Sequence, residues 1–146
     1  MLLLVTLAMV GMAAASAVSL GTTMARRDAE EALLVVGAEF AAAIHSYRNA
    51  SAVQLRSGPT EFDHLLRDPR FPGIRRHLRK HYADPMSGSN EWGVLRDGSG
   101  AIVAVYSLAA GRPIKQEGFD PAQAGFTGAT SYAQWQFGPV VAPARP

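Results

Sequence analysis

Histidines, carboxylates and clustered arginines are the side chains here with chemistry to offer, and their spacing limits what that chemistry is. His77 and His81 stand four apart, so a helix would set both on one face, as zinc ligands require. Arg76, Arg79 and Lys80 surround them and repel a cation, so a basic surface is the plainer reading and no metal is expected there. Asp63 and His64 are neighbours and point to different faces of a helix. Asp97-Gly98-Ser99-Gly100 reads as a turn, because the Lys-Ser/Thr and helix of a phosphate loop do not follow it. The nucleophile elbow Gly-x-Ser-x-Gly does not occur. There is no cysteine, which excludes disulfides, thiolate metal sites and cysteine nucleophiles. Neither an enzyme nor a cofactor is expected.

Arg75, Arg76, Arg79 and Lys80, with Arg67 and Arg70 nearby, form the one dense basic patch. A solvated helix face is its bland reading. Its functional reading is a contact to acidic residues of a neighbouring subunit or to lipid headgroups. Nucleic acid is not expected, since aromatic interleaving and recognisable binding motifs are missing. The formal charge of +2 is too mild to argue otherwise.

These groups must be held by elements, and the first element dominates. Residues 1–25 carry no charge and exceed the roughly 18 to 20 apolar residues that span hydrocarbon. Small residues (Gly11, Ala14, Ala15, Ala17) permit close helix approach. Ala15-Ser16-Ala17 offers a signal-peptidase site, but no basic residue precedes the core and helix-forming sequence continues past it, so a retained anchor is the reading taken. Residues 26–50 continue as an amphipathic helix, with Leu33, Val36, Gly37, Phe40, Ile44 and Tyr47 on one stripe. Arg26 and Arg27 would place the following domain in the cytoplasm by the positive-inside rule.

Residues 51–138 read as a small globular domain, and residues 139–146 as a flexible tail. Within that domain the pattern predicts short helices over 61–67, capped by Thr60, and over 74–82, with Ile74 and Leu78 inward. Residues 91–96 and 101–107 flank Asp-Gly-Ser-Gly as a hairpin, and residues 132–137 are expected as a third strand. The fold class is α+β: a long N-terminal helix, half membrane and half amphipathic, packed on a small antiparallel sheet.

Three stretches carry a resemblance. LLLVTLAMVGMAAASA at residues 2–17 and RRDAEEALLVVGAEFAAAIHSY at residues 26–47 are similar to the apolar and charged halves of one family's helix. RRHLRKHYADPMSGSNEWGVLRDGSGAIVAVYSL at residues 75–108 resembles that family's Asp-Pro loop, hairpin and Tyr-Ser-Leu strand, and SYAQWQF resembles its last strand. The family is the type IV pilin-like proteins, specifically the pseudopilins of type II secretion. The resemblance implies a pilin-like fold and a structural subunit of a type II secretion or type IV pilus-like filament. It implies single-pass insertion in the bacterial inner membrane with the domain in the periplasm, against the visible charges. Its partners would be other pseudopilins or copies of itself, the inner-membrane assembly platform and the lipid bilayer. Leu2, Leu3, Leu4, Leu7, Gly11, Ala14, Ala15, Ala17 and Val18 would be the assembly helix, and Arg75, Arg76, Arg79 and Lys80 a subunit-contact patch.

Departures accompany the likeness. The family's basic leader and Gly-Phe-Thr cleavage site would end just before Met1, so either the start is assigned too late or the leader is lost. Alignment on Gly11 places Leu2 where the family commonly has a glutamate. Major pseudopilins bind calcium in the loop after Tyr-Ser-Leu. Here Glu117 and Asp120 are that loop's only acids, too few for about six to eight oxygens unless carbonyls and waters supply most. The rival expectation is a monomeric membrane-anchored or secreted periplasmic binding domain that never polymerises.

Overall fold

Leucine, alanine and methionine dominate residues 1–25 and no proline precedes Pro59, so nothing in the sequence stops a helix once begun. In the computed structural model α1 runs unbroken over Leu2–Asn49, 48 residues. That is roughly 70 Å at 1.5 Å per residue. The structure describes the backbone of residues 2–50 and 58–139, and in α1 the side chains of residues 6, 7 and 21 onward. Leu7 is exposed. The other expected assembly-helix side chains (Leu2, Leu3, Leu4, Gly11, Ala14, Ala15, Ala17 and Val18) lie outside the described residues, as do the loop over 51–57 and the tail over 140–146. Among the described residues no helix is long and apolar enough to cross a membrane.

The second half of α1 is where the domain attaches. Leu33, Gly37, Phe40, Ile44 and Tyr47 are all buried, as their spacing predicts. They pack on the hairpin of β1 (Gly93–Arg96) and β2 (Ile102–Tyr106), and on the aromatic cluster of Trp92, Phe126, Tyr132, Trp135 and Phe137. Phe40 meets Trp92 edge to face with ring centroids 5.0 Å apart. Gly37 lets the rod and the aromatic cluster approach closely: a Cβ there would lie 2.2 Å from the Phe137 ring.

The hairpin pairs Gly93 with Tyr106 and Val94 with Val105, with a bulge between Leu95 and Arg96. Its turn is built by Asp97, whose Oδ1 accepts from Ser99 N (2.9 Å), Ser99 Oγ (2.6 Å) and Ala101 N (3.1 Å). Gly100 takes the positive φ of 82° that closes it. The expected third strand contracts to one bridge, Val105 with Phe137. Residues Tyr132–Gln134 form a 3₁₀ turn instead. The turn drives both Tyr132 and Trp135 inward, where a strand's alternation would have left one of them out.

Two further expectations are corrected. The helix over 61–67 shrinks to α2 (Asp63–Leu66), and Thr60 Oγ1 bonds the His64 ring at 3.2 Å rather than a backbone N–H. No helix forms over 74–82. The backbone N–H groups of His77 and Leu78 both donate to Leu65 O, at 2.8 and 2.9 Å, and Asp68 N donates to Arg75 O at 3.0 Å. Cross-links to α2 thus replace helical bonds in a segment where closely spaced cations would repel one another on a helix. Leu78 is buried as expected, but Ile74 is 73% exposed.

Candidate assembly surfaces

Two polar clasps hold α1 to the domain, one at each end of the packed half. At the first, Glu30 is only 1% exposed although it is an acid. Its carboxylate accepts from Ile114 N (2.7 Å), Lys115 N (2.9 Å) and the Tyr132 hydroxyl (2.5 Å). Arg26, one turn earlier, donates from Nε to the Tyr132 oxygen (3.1 Å) and from Nη2 to Arg112 O (2.7 Å). Burial and the neighbouring Glu30 push the Tyr132 phenol up to about 12, so it stays a donor. The sequence carried a signal for this clasp. Arg26 and Glu30 extend the apolar stripe backwards by steps of four and three, and a charge on a buried face calls for partners.

The second clasp caps the far end of α1. Arg70 donates to both oxygens of Asp68 (Nε 2.8 Å, Nη2 2.6 Å) and from Nη2 to Tyr47 O at 2.7 Å. Its guanidinium also lies 3.7 Å from the Tyr47 ring centroid. Tyr47 O is one of the last helix carbonyls, which lack partners within the helix. His77 Nε2 sits 3.2 Å from Asp68 Oδ2, and its Nδ1 2.8 Å from Ser46 Oγ. An ionised Asp68 only accepts, so the imidazole proton belongs on Nε2 and the Ser46 hydroxyl donates to Nδ1. Burial would raise the Asp68 carboxyl, but the bonds from Arg70 and His77 hold it down at about 2. Burial likewise lowers His77, only partly offset by Asp68. A serine, histidine and aspartate in series are the groups that activate nucleophiles. Here Arg70 takes both carboxylate oxygens, which weakens Asp68 as the support of an imidazolium and ties the series to the helix end.

The predicted basic patch survives in part, as a loop surface rather than a helix face. Arg76, Arg79 and Lys80 line one shallow groove with Arg67 and the exposed Ile74. Arg75 turns aside, its guanidinium 4.5 Å from the Phe71 ring centroid, and Arg70 leaves the patch for the clasp. His81 and His77 do not converge: His81 pairs with Asp63 at 3.2 Å on the surface. A second groove runs along α1, lined by the acids Glu31, Glu39 and Asp120, the single cation Lys115, and Val35, so its balance is acidic. Val35 is 66% exposed.

The Asp-Pro loop and the Tyr-Ser-Leu strand prove to be one unit. The buried Asp84 carboxylate accepts from Ser107 Oγ (2.7 Å), Ser87 Oγ (2.8 Å) and Met86 N (2.9 Å). Glu117 and Asp120 are both exposed, and Glu30 already accepts three hydrogen bonds. Among the described residues no three histidine or carboxylate side chains come together as a metal-ligand group.

Comparison of the chain with protein-family models, curated proteins and solved structures finds no match.

Proposed function

We propose that this chain is a pseudopilin-like subunit of a type II secretion or type IV pilus-like filament. The observation that carries the reading is the asymmetry of α1: one 48-residue helix clasped to the domain at Arg26 and Tyr47, while the described side chains before them, Thr6, Leu7 and residues 21–25, are exposed. The uncharged stretch before Arg26 calls for an apolar partner. In the resting subunit that partner is the bacterial inner membrane, with the domain on the periplasmic side. In the filament it is the same segment of neighbouring copies, packed through Gly11, Ala14, Ala15 and Ala17. Transfer from lipid to a bundle keeps apolar surface out of water throughout. An inner-membrane platform would drive that transfer. The joined Asp-Pro loop and Tyr-Ser-Leu strand support the reading, since the two motif pieces that carry the resemblance meet through Asp84 and Ser107.

The test uses the natural absence of cysteine. Cysteines introduced at Gly11 and Ala17 should give a ladder of disulfide-linked multimers in cells that carry the assembly machinery. A product that stays monomeric under oxidation, although membrane-bound, would instead identify an anchored binding domain.

A further inference from the structure

We propose that the rim formed by Leu108 and Arg112 around Arg26 and Arg27 of α1 is a lipid-docking surface that seats the domain on an anionic bilayer. The inference rests on the membrane anchor of the reading above, though not on polymerisation. Depth along the helix comes first. About 20 apolar residues cross about 30 Å of hydrocarbon, and Arg26 and Arg27 are the first charges after an uncharged run longer than that. Charges that close such a run belong at the headgroup layer on the domain side. Arg26 is not a free side chain. Its Nη2 holds Arg112 O at 2.7 Å and its Nε holds the Tyr132 hydroxyl at 3.1 Å, so the loop after β2 is drawn to the same depth.

What the loop presents there suits a bilayer surface. Leu108 is 55% exposed directly past the end of β2, beside a shallow groove it shares with Ala25, Arg26 and Met86. Met24 on the helix is also exposed. Arg112, whose carbonyl Arg26 holds, is exposed, and so is Arg27, which lines a neighbouring groove with Glu30, Glu31, Ile114 and Lys115. Asp28 lies on another face of the helix from Arg26 but one turn past Met24, and Glu31 lies one turn past Arg27, so each acid stands about 6 Å further from the bilayer than the docking residue it follows. An apolar tip flanked by arginines is the pattern of a surface resting at the headgroup level, with guanidinium groups on lipid phosphates.

A chain without cysteine accepts a single spin label per variant. Leu7→Cys, Ile74→Cys and Leu108→Cys, each full-length in nanodiscs of phosphatidylcholine with or without phosphatidylglycerol, would be compared by electron paramagnetic resonance for oxygen against nickel-chelate accessibility. The expected pattern is hydrocarbon at position 7, water at position 74 and headgroup depth at position 108 with phosphatidylglycerol. Arg27→Glu combined with Arg112→Glu should shift position 108 to the water value and leave position 7 unchanged. Position 108 reading as water while position 7 reads hydrocarbon overturns the docking surface and leaves the anchor standing. Position 108 at headgroup depth regardless of lipid charge and of the double variant overturns the arginines' part. Water at position 7 overturns the anchor and this inference with it.

Discussion

Single side chains decide how the rod is fastened, and they make its stability depend on pH. Asp68 titrates at about 2 in the folded chain against 3.8 as a free side chain. Its folded value is depressed, so its stabilisation is present above about pH 4 and is lost as pH falls towards 2. Nearly two units at about 1.4 kcal/mol each make this roughly 2 kcal/mol. His77, also depressed, adds a loss of the same sign as pH falls below its ordinary 6.5. Urea titrations at stepped pH should show the wild type weakening through the lower window, while Asp68→Asn is already weaker at neutrality and loses less across it. At the other clasp, Glu30→Gln should cost about 1–3 kcal/mol, because the Ile114 and Lys115 amides lose a charged acceptor while staying half-buried. Combining it with Tyr132→Phe should give less than the sum of the separate losses, since one takes the charge and the other the donor from the same 2.5 Å bond. Additive losses by denaturant melts would mean that the Glu30–Tyr132 bond contributes little.

At the scale of elements the periodic stretches were legible and the short ones were not. The stripe from Leu33 to Tyr47 and the turn at Asp97 follow from local rules of period and turn chemistry, and both are present. The segments over 74–82 and 132–137 also have suitable local patterns, yet tertiary bonds override them. Leu65 O captures the amides of His77 and Leu78, and the burial of Tyr132 with Trp135 bends the last segment into a turn. Neither contact can be seen from spacing along the chain. The clasps were half legible: Arg26 and Glu30 break an apolar stripe, but the identity of Tyr132 as their partner, over a hundred residues on, was not. Gly37 yields a prediction at this scale. Gly37→Ala helps the isolated helix by roughly 1 kcal/mol. It nonetheless forces the buried Phe137 ring away, and overpacking of this kind costs about 1–3 kcal/mol. Thermal melts should therefore show net destabilisation despite the better helix former. A rise in midpoint would mean that the ring has room to retreat.

At the scale of the whole molecule, two surface grooves among the described residues differ in their balance of charge. The groove around Arg76, Arg79 and Lys80 lies beside the cap of α1, and the groove around Glu31, Glu39 and Asp120 lies along the middle of its packed half. Two unlike patches at different places on one chain are what a head-to-tail contact between copies would need, and such a contact extends indefinitely if the rotation does not close. In the assembly assay, Arg79→Glu should cut the yield of multimers severalfold, and Glu39→Arg should do likewise. Their combination should recover part of the loss if the two grooves meet across copies, and recover nothing if each only keeps the domain soluble. A last consequence concerns force rather than affinity. The clasps at Arg26 and Tyr47 are about 30 Å apart along α1, on a single continuous helix. A tug along that axis loads both fastenings in shear at once, instead of peeling them open in turn. A motor pulling on the shaft would therefore carry the attached head as cargo, upright and still folded.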